Sequence, residues 1–187
     1  MLRITGLSQA RFEPLFWANR PAYDEGKLTG ITFWQKLLRD AGLPPNQAMV
    51  EELNRWDGRL WTVQNPAMVA WQLALKQRGL LTAILSNMGD SVLESVEREF
   101  DWIHRFDVLV WSYQLGIAKP DPAIYRYTLA ELGVQPHETL FIDDKQENVE
   151  AAQTLGIQAI QFFSVKQLRE DLIAAGLDAE LPLPAVE

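Results

Sequence analysis

The spacing of apolar residues divides the chain into two parts with different periods. Up to about residue 62 the period is helical throughout. Phe12, Leu15 and Phe16 share one helical face, and Met49, Leu53, Trp56 and Leu60 share another. Between them Phe33, Trp34, Leu37 and Leu38 predict a helix capped by Thr32 and ended by Gly42 and the Pro44-Pro45 pair. From Pro66 onward short apolar runs alternate with helical patterns. Strands are predicted at Leu80–Leu85, Val108–Trp111, Thr139–Ile142 and Ile157–Phe163. Helices are predicted at Ala67–Arg78, Asp90–Glu99, about 121–132, Glu147–Leu155 and Val165–Ala175. Four alternations of strand and helix imply an α/β fold, a parallel sheet with helices on both faces. The division is therefore a helical part over residues 1–62, an α/β core over 63–178, and a tail over 179–187. The last ten residues, rich in Pro, Ala and acids, read as loose.

Composition narrows the possibilities. The chain has 187 residues, 48% hydrophobic and 22% charged, enough to bury a core. A net charge of -8 makes nucleic acid a poor partner, because an acidic surface repels phosphate backbones. There is no cysteine, which excludes disulfides, thiolate catalysis and zinc-thiolate sites. Residues 1–10 contain no apolar signal segment, and the run from Leu80 to Leu85 is far too short to span a bilayer, so no membrane association and a cytoplasmic location are expected. Four of the seven tryptophans (Trp17, Trp34, Trp56, Trp61) fall in the helical part, where they are expected mainly to pack the core. Trp17 and Tyr23 are the aromatic residues there that remain open to substrate contact.

Ligands of parallel sheets sit beyond the carboxyl ends of the strands. The first strand leads into Ser86-Asn87-Met88-Gly89-Asp90, where a hydroxyl before a helix N-terminus suits a phosphate oxygen. Asn87 or Asp90 serves equally as a plain helix cap. The second strand leads to Lys119-Pro120, and proline biases Lys119 away from helix. Alone, this is a surface lysine before a turn; facing inward, it is an anion ligand. The third strand ends in Asp143-Asp144, with Asn148 one turn on. Two adjacent carboxylates there repel each other unless a cation lies beside them. Hard oxygen donors of this kind suit magnesium, which takes one or two carboxylates and keeps waters, although the same acids can cap a helix.

Taken in order, Ile84-Leu85-Ser86-Asn87, the segment Gly116 to Tyr125 containing Lys119-Pro120-Asp121-Pro122, and Leu140 to Ala152 containing Asp143-Asp144 resemble motifs two, three and four of the haloacid dehalogenase-like (HAD) hydrolases. The helical part, with Tyr23 to Thr29, resembles the small helical cap of one subgroup. The resemblance covers about residues 12 to 176 and implies a Rossmann-like core. By that resemblance Ser86 contacts a transferring phosphoryl group, Asn87 shapes the pocket, and Lys119 neutralises charge and holds the nucleophile. Asp143 and Asp144 hold Mg2+ directly or through water, and Asn148 supports them. The acid pair resembles metal-dependent phosphatases acting on a small phosphorylated metabolite rather than metal-free 2-haloacid dehalogenases, which carry a serine and asparagine pattern there.

Family members begin with a hydrophobic strand ending in Asp-x-Asp, whose first Asp attacks phosphorus and whose second acts as general acid and base. No segment of these 187 residues carries that pattern: Phe106-Asp107-Val108 precedes a strand, and Phe100-Asp101-Trp102 follows none. Met1 stands directly before the cap helices. The resemblance thus implies a first, central core strand absent from the chain. Two apolar strand edges would then face a gap. Either those strands pair directly, another chain supplies a strand (which favours a homodimer), or the true start lies upstream of Met1. The expected function is a magnesium-dependent phosphatase, inactive as written for want of its nucleophile; the alternative is a non-catalytic protein that binds a phosphorylated ligand or a partner.

Overall fold

The computed structural model describes residues 1–183. The elements in chain order are α1 (Leu2–Thr5), α2 (Gln9–Asp24), α3 (Gly30–Asp40), α4 (Gln47–Leu60), α5 (Pro66–Gln77), β1 (Ala83–Ser86), α6 (Asp90–Glu99), β2 (Val108–Trp111), α7 (Ser112–Leu115), α8 (Pro122–Leu132), β3 (Leu140–Asp143), α9 (Gln146–Thr154), β4 (Gln158–Gln161) and α10 (Val165–Ala174). The α/β alternation predicted from Pro66 onward is present. Among the described residues no helix is long and apolar enough to cross a membrane. Two compact units emerge, and both are discontinuous in sequence. One comprises Met1–Val63, Ser86–Asp101 and Val110–Ala118; the other comprises Gln64–Leu85, Trp102–Leu109 and Lys119–Glu187.

The first unit is helical and built around aromatic rings. Phe12, Phe16, Tyr23, Phe33, Trp34, Leu37, Leu38 and Leu53 are buried. Tyr23 stacks on Phe33 at 4.9 Å, and Phe16 meets Phe33 edge-on at 5.5 Å. Of the four tryptophans expected in this region only Trp34 is in the core; Trp17, Trp56 and Trp61 are exposed. Thr29, not Thr32, caps α3: each threonine side chain bonds the other's backbone amide in a capping box. Arg20 is buried with Asp57, bonding it at 3.3 Å and Asp24 at 2.8 Å, while its guanidinium lies 5.0–5.5 Å from the rings of Phe16, Tyr23 and Trp61. Burial pushes the Asp57 carboxyl up from its ordinary range, and Arg20 opposes that rise.

The second unit holds β3 and β4, which pair in parallel with Leu140 opposite Gln158 and Asp143 opposite Gln161. The period of two sends Leu140, Ile142, Ile160 and Phe162 to one face, against Trp71 of α5 and Leu168 and Leu172 of α10. Phe141 points the other way and meets Tyr125 of α8 at 5.4 Å. Residues 179–183, expected to be part of a loose tail, are held within this unit. Leu183 is buried in the α5–α10 cluster, Arg169 holds its carbonyl, and Arg78 holds that of Ala179. The remainder of the predicted tail, residues 184–187, lies outside the described residues.

The strands form two separate pairs, β1 with β2 and β3 with β4, rather than one four-stranded sheet. Among the described residues β1 and β3 share no ladder, so direct pairing does not close the expected gap. The strand β1 also starts three residues later than its apolar run suggests. Leu80 and Leu81 are exposed, and pairing begins where the carbonyl of Thr82 accepts from the amide of Asp107 at 2.8 Å. The Asp107 carboxylate in turn accepts from the Thr82 amide at 2.9 Å and pairs with Lys76.

Two predictions follow from this packing. Trp34→Ala is expected to cost roughly 3–5 kcal/mol in urea unfolding, against about 0.5 kcal/mol or less for the exposed Trp17→Ala. Asp107 is held below the usual carboxylate range, first by Lys76 and then by the Thr82 amide. A depressed folded value means that its stabilisation is complete above the ordinary aspartate value of about 3.9 and is lost as pH falls further. Acid unfolding curves of Asp107→Asn should therefore decline less steeply below about pH 4 than those of the unsubstituted chain.

Candidate functional site

The strand β3 is half-buried over its first three residues and delivers Asp143, only 8% exposed, at its carboxyl end. A carboxylate in such a place needs a donor for each lone pair that water would otherwise satisfy. Asp143 has three. Its Oδ1 accepts from the Lys145 amide at 2.9 Å and from Asn148 Nδ2 at 2.8 Å; its Oδ2 accepts from Lys119 Nζ at 2.6 Å. Asn148 reaches Asp143 because α9 begins at Gln146 and brings its first turn back under the strand end. The hydroxyl of Tyr125 fixes that turn by donating to the Asn148 carbonyl at 2.9 Å. Asn148 Oδ1 is buried and accepts no hydrogen bond.

Lys119 is as buried as its partner, its side chain 8% exposed against 6% for Asp143. Its ammonium also donates to the carbonyl of Leu85 at 2.7 Å and lies 5.5 Å from the ring of Phe141. One cation thus joins the carboxyl end of β1 to the carboxyl end of β3, two strands that share no backbone bond. Removing one member of a buried charged pair costs about 3–5 kcal/mol, because the other is left without compensation. The inward-facing lysine suggested by Lys119-Pro120 is therefore what the structure contains.

The adjacent acids diverge. Asp143 points inward, whereas Asp144 is exposed and its carbonyl accepts from Gln161 Nε2 at 2.9 Å. Among the described residues no group of three or more His, Asp or Glu side chains converges in a way that could hold a metal ion. The donor chemistry of Asp143 and Asp144 nevertheless fits magnesium, whose preference is for one or two carboxylates with the remaining positions filled by water.

Ser86 and Asn87 belong to the helical unit, apart from Lys119, Asp143 and Asn148. Ser86 is the last residue of β1 and follows Leu85 directly. The loop after it is pinned at three points. The Met88 amide donates to Ser112 Oγ at 3.0 Å. The backbone of Gly89 lies under the Tyr23 ring, where a Cβ would come within 2.0 Å of a ring carbon. The Asp90 carboxylate accepts from the Gly30 amide at 2.9 Å and from the Ser91 amide at 2.7 Å. Asp90 thus ties the start of α3 to the start of α6, while Gly89 occupies the N-cap of α6.

Sequence reasoning passed over three participants. The Leu85 carbonyl and the Lys145 amide are main-chain groups and leave no residue-type signal. Ser112 did leave one: it directly follows β2, the same strand-end position that drew attention to Ser86 and Asp143.

A family model of haloacid dehalogenase-like hydrolases matches residues 16–156. The chain is 37% identical over 105 residues to mouse acyl-CoA dehydrogenase family member 10, covering 54% of this chain and 9% of that protein. It is 30% identical to mouse bifunctional epoxide hydrolase 2 over 64% of this chain and 23% of that one. It is also 30% identical to the phosphoserine phosphatase of Thermus thermophilus, over 68% of this chain and 51% of that one. The chain therefore spans between about a tenth and about half the length of these relatives.

Among solved structures, an aspartate-to-alanine variant of a HAD family enzyme from Bacteroides thetaiotaomicron, in complex with magnesium and inorganic phosphate, superposes with a TM-score of 0.68. It is 22% identical, over 83% of this chain and 86% of that one. The L-2-haloacid dehalogenase of Xanthobacter autotrophicus superposes with a TM-score of 0.56 at 22% identity, over 87% of this chain and 68% of that one. These likenesses show a common fold, and the family match covers most of the chain, including Ser86, Lys119 and Asp143. The chain belongs to the haloacid dehalogenase-like hydrolase family.

Proposed function

We propose that this chain carries the phosphate-binding part of a phosphomonoesterase site and binds a small phosphorylated metabolite, and that the 187 residues alone do not hydrolyse it. In this reading Ser86 and Asn87 donate to phosphate oxygens and Lys119 neutralises their charge. Asp143 and Asp144 are the residues that would hold magnesium, whose charge would add to that of Lys119. Asn148 keeps the Asp143 carboxylate oriented. The observation that carries the reading is the buried Lys119 ammonium set between the Leu85 carbonyl and the Asp143 carboxylate at the ends of two strands. The relatives support it, since the Thermus thermophilus protein is a phosphoserine phosphatase and the Bacteroides thetaiotaomicron variant was solved with magnesium and phosphate.

Hydrolysis needs an attacking group and a proton donor. Within the 187 residues no apolar strand ends in Asp-x-Asp, and Asp143, the buried acid at the site, is held by three donors. Binding without turnover is the consequence. Among the described residues one edge each of β1 and β3 carries no partner strand, which favours self-association or a strand from another chain over an isolated monomer. The acidic surface argues against nucleic acid as the ligand. A 2-haloacid dehalogenase activity is disfavoured by the acid pair and would require chloride release that ignores EDTA.

Two measurements test this reading. The purified chain should give no p-nitrophenyl phosphate turnover with magnesium above an Asp143→Asn control; turnover that the substitution abolishes would show that the chain is an enzyme by itself. Titration calorimetry with inorganic phosphate should show binding, and Lys119→Met should weaken it by roughly 10- to 100-fold, the worth of one charge-assisted hydrogen bond of about 1.5–3 kcal/mol. Equal affinity in Lys119→Met would remove the lysine from the site.

A further inference from the structure

We propose that Ser112 is a positioning residue for the anion site, holding Ser86 and Asn87 in place through the Met88 amide; this rests on the phosphate-binding reading above. Ser112 is fully buried at the junction of β2 and α7. Its Oγ accepts the Met88 amide proton at 3.0 Å and donates its own proton to the carbonyl of Asp24, the last residue of α2. A serine hydroxyl has one donor and two acceptor sites. With its proton committed to Asp24, Ser112 has none to offer a ligand, so its influence on a bound anion runs through the loop it holds.

The arrangement is specific to that loop. Met88 is one residue from Asn87 and two from Ser86, and of the three contacts described above its amide bond to Ser112 lies nearest to both. The other two, Gly89 under the Tyr23 ring and the Asp90 carboxylate on the Gly30 amide, lie further toward α6. The segment carrying Asp24 is itself seated on Ser112 and its neighbour. Gly26 has φ +71°, and a Cβ there would come within 2.4 Å of the Tyr113 carbonyl oxygen. A hydroxyl is needed to satisfy the donor of Met88 and the acceptor of Asp24 together. Alanine would take the acceptor from the part-buried Met88 amide, and the loop would be free to relax toward water.

The test pairs amide hydrogen exchange with phosphate titration on the full 187-residue chain. In Ser112→Ala the Met88 amide is expected to lose at least tenfold of its protection while amides in the middle of α6 keep theirs, and phosphate affinity should fall about tenfold. Ser112→Cys keeps the size and a weak donor and acceptor, and should fall between the two in both readouts; it also serves if the alanine variant does not fold. Unchanged Met88 protection in a folded variant overturns the bond. Lost protection with unchanged phosphate affinity overturns the positioning role, while Ser86→Ala, still weakening phosphate, would leave the binding reading standing. Absence of phosphate binding by the unsubstituted chain overturns both.

Discussion

The structure around the site depends on one buried cation. Lys119 places its ammonium between the Leu85 carbonyl and the Asp143 carboxylate, at 2.7 and 2.6 Å, where β1 and β3 end without sharing a ladder. Backbone pairing normally joins neighbouring strands of a parallel sheet. Here a side chain makes the connection. The pair is buried on both sides, so its charges are screened little by water and each depends on the other for compensation. The acid is further fixed by Asn148 and the Lys145 amide, which confines the ammonium to one position.

The proposed binding reading does not depend on an Asp-x-Asp strand, a pattern these residues lack. The groups proposed to neutralise and orient an anion, Lys119, Ser86, the loop before α6 and the Asp143-Asp144 pair, all lie within these residues. The group that would attack does not. On the proposed reading, binding and attack would be separable, because they would reside on different strands.

Much of the core was legible in the sequence. The helices α6 and α8 and the strand β2 fall where periodicity puts them: Gly89 precedes α6, Pro122 and Gly133 mark the ends of α8, and β2 is one short apolar run. The strand β1 was overread. Leu80 and Leu81 extend the apolar run, yet only the pairing of Thr82 with Asp107 decides where the ladder starts, and pairing is a property of two segments. The tail was underread because Leu181 and Leu183 are too few to form a periodic pattern, though they suffice to fill a hollow beside α5 and α10. In the site, Lys119, Asp143 and Asn148 were visible as residue types at strand and helix ends. Main-chain partners such as the Leu85 carbonyl were not, since every residue has one. The outward turn of Asp144 was equally hidden, because successive side chains leaving a strand point to opposite faces only as long as the strand continues.

A double-mutant cycle on Lys119→Met and Asp143→Asn, read by urea unfolding, addresses the central interaction most directly. The account predicts a coupling energy of about 2–3 kcal/mol, the upper part of the range for residues in direct contact. A coupling below about 0.5 kcal/mol, the magnitude of a solvent-exposed ion pair, would contradict it.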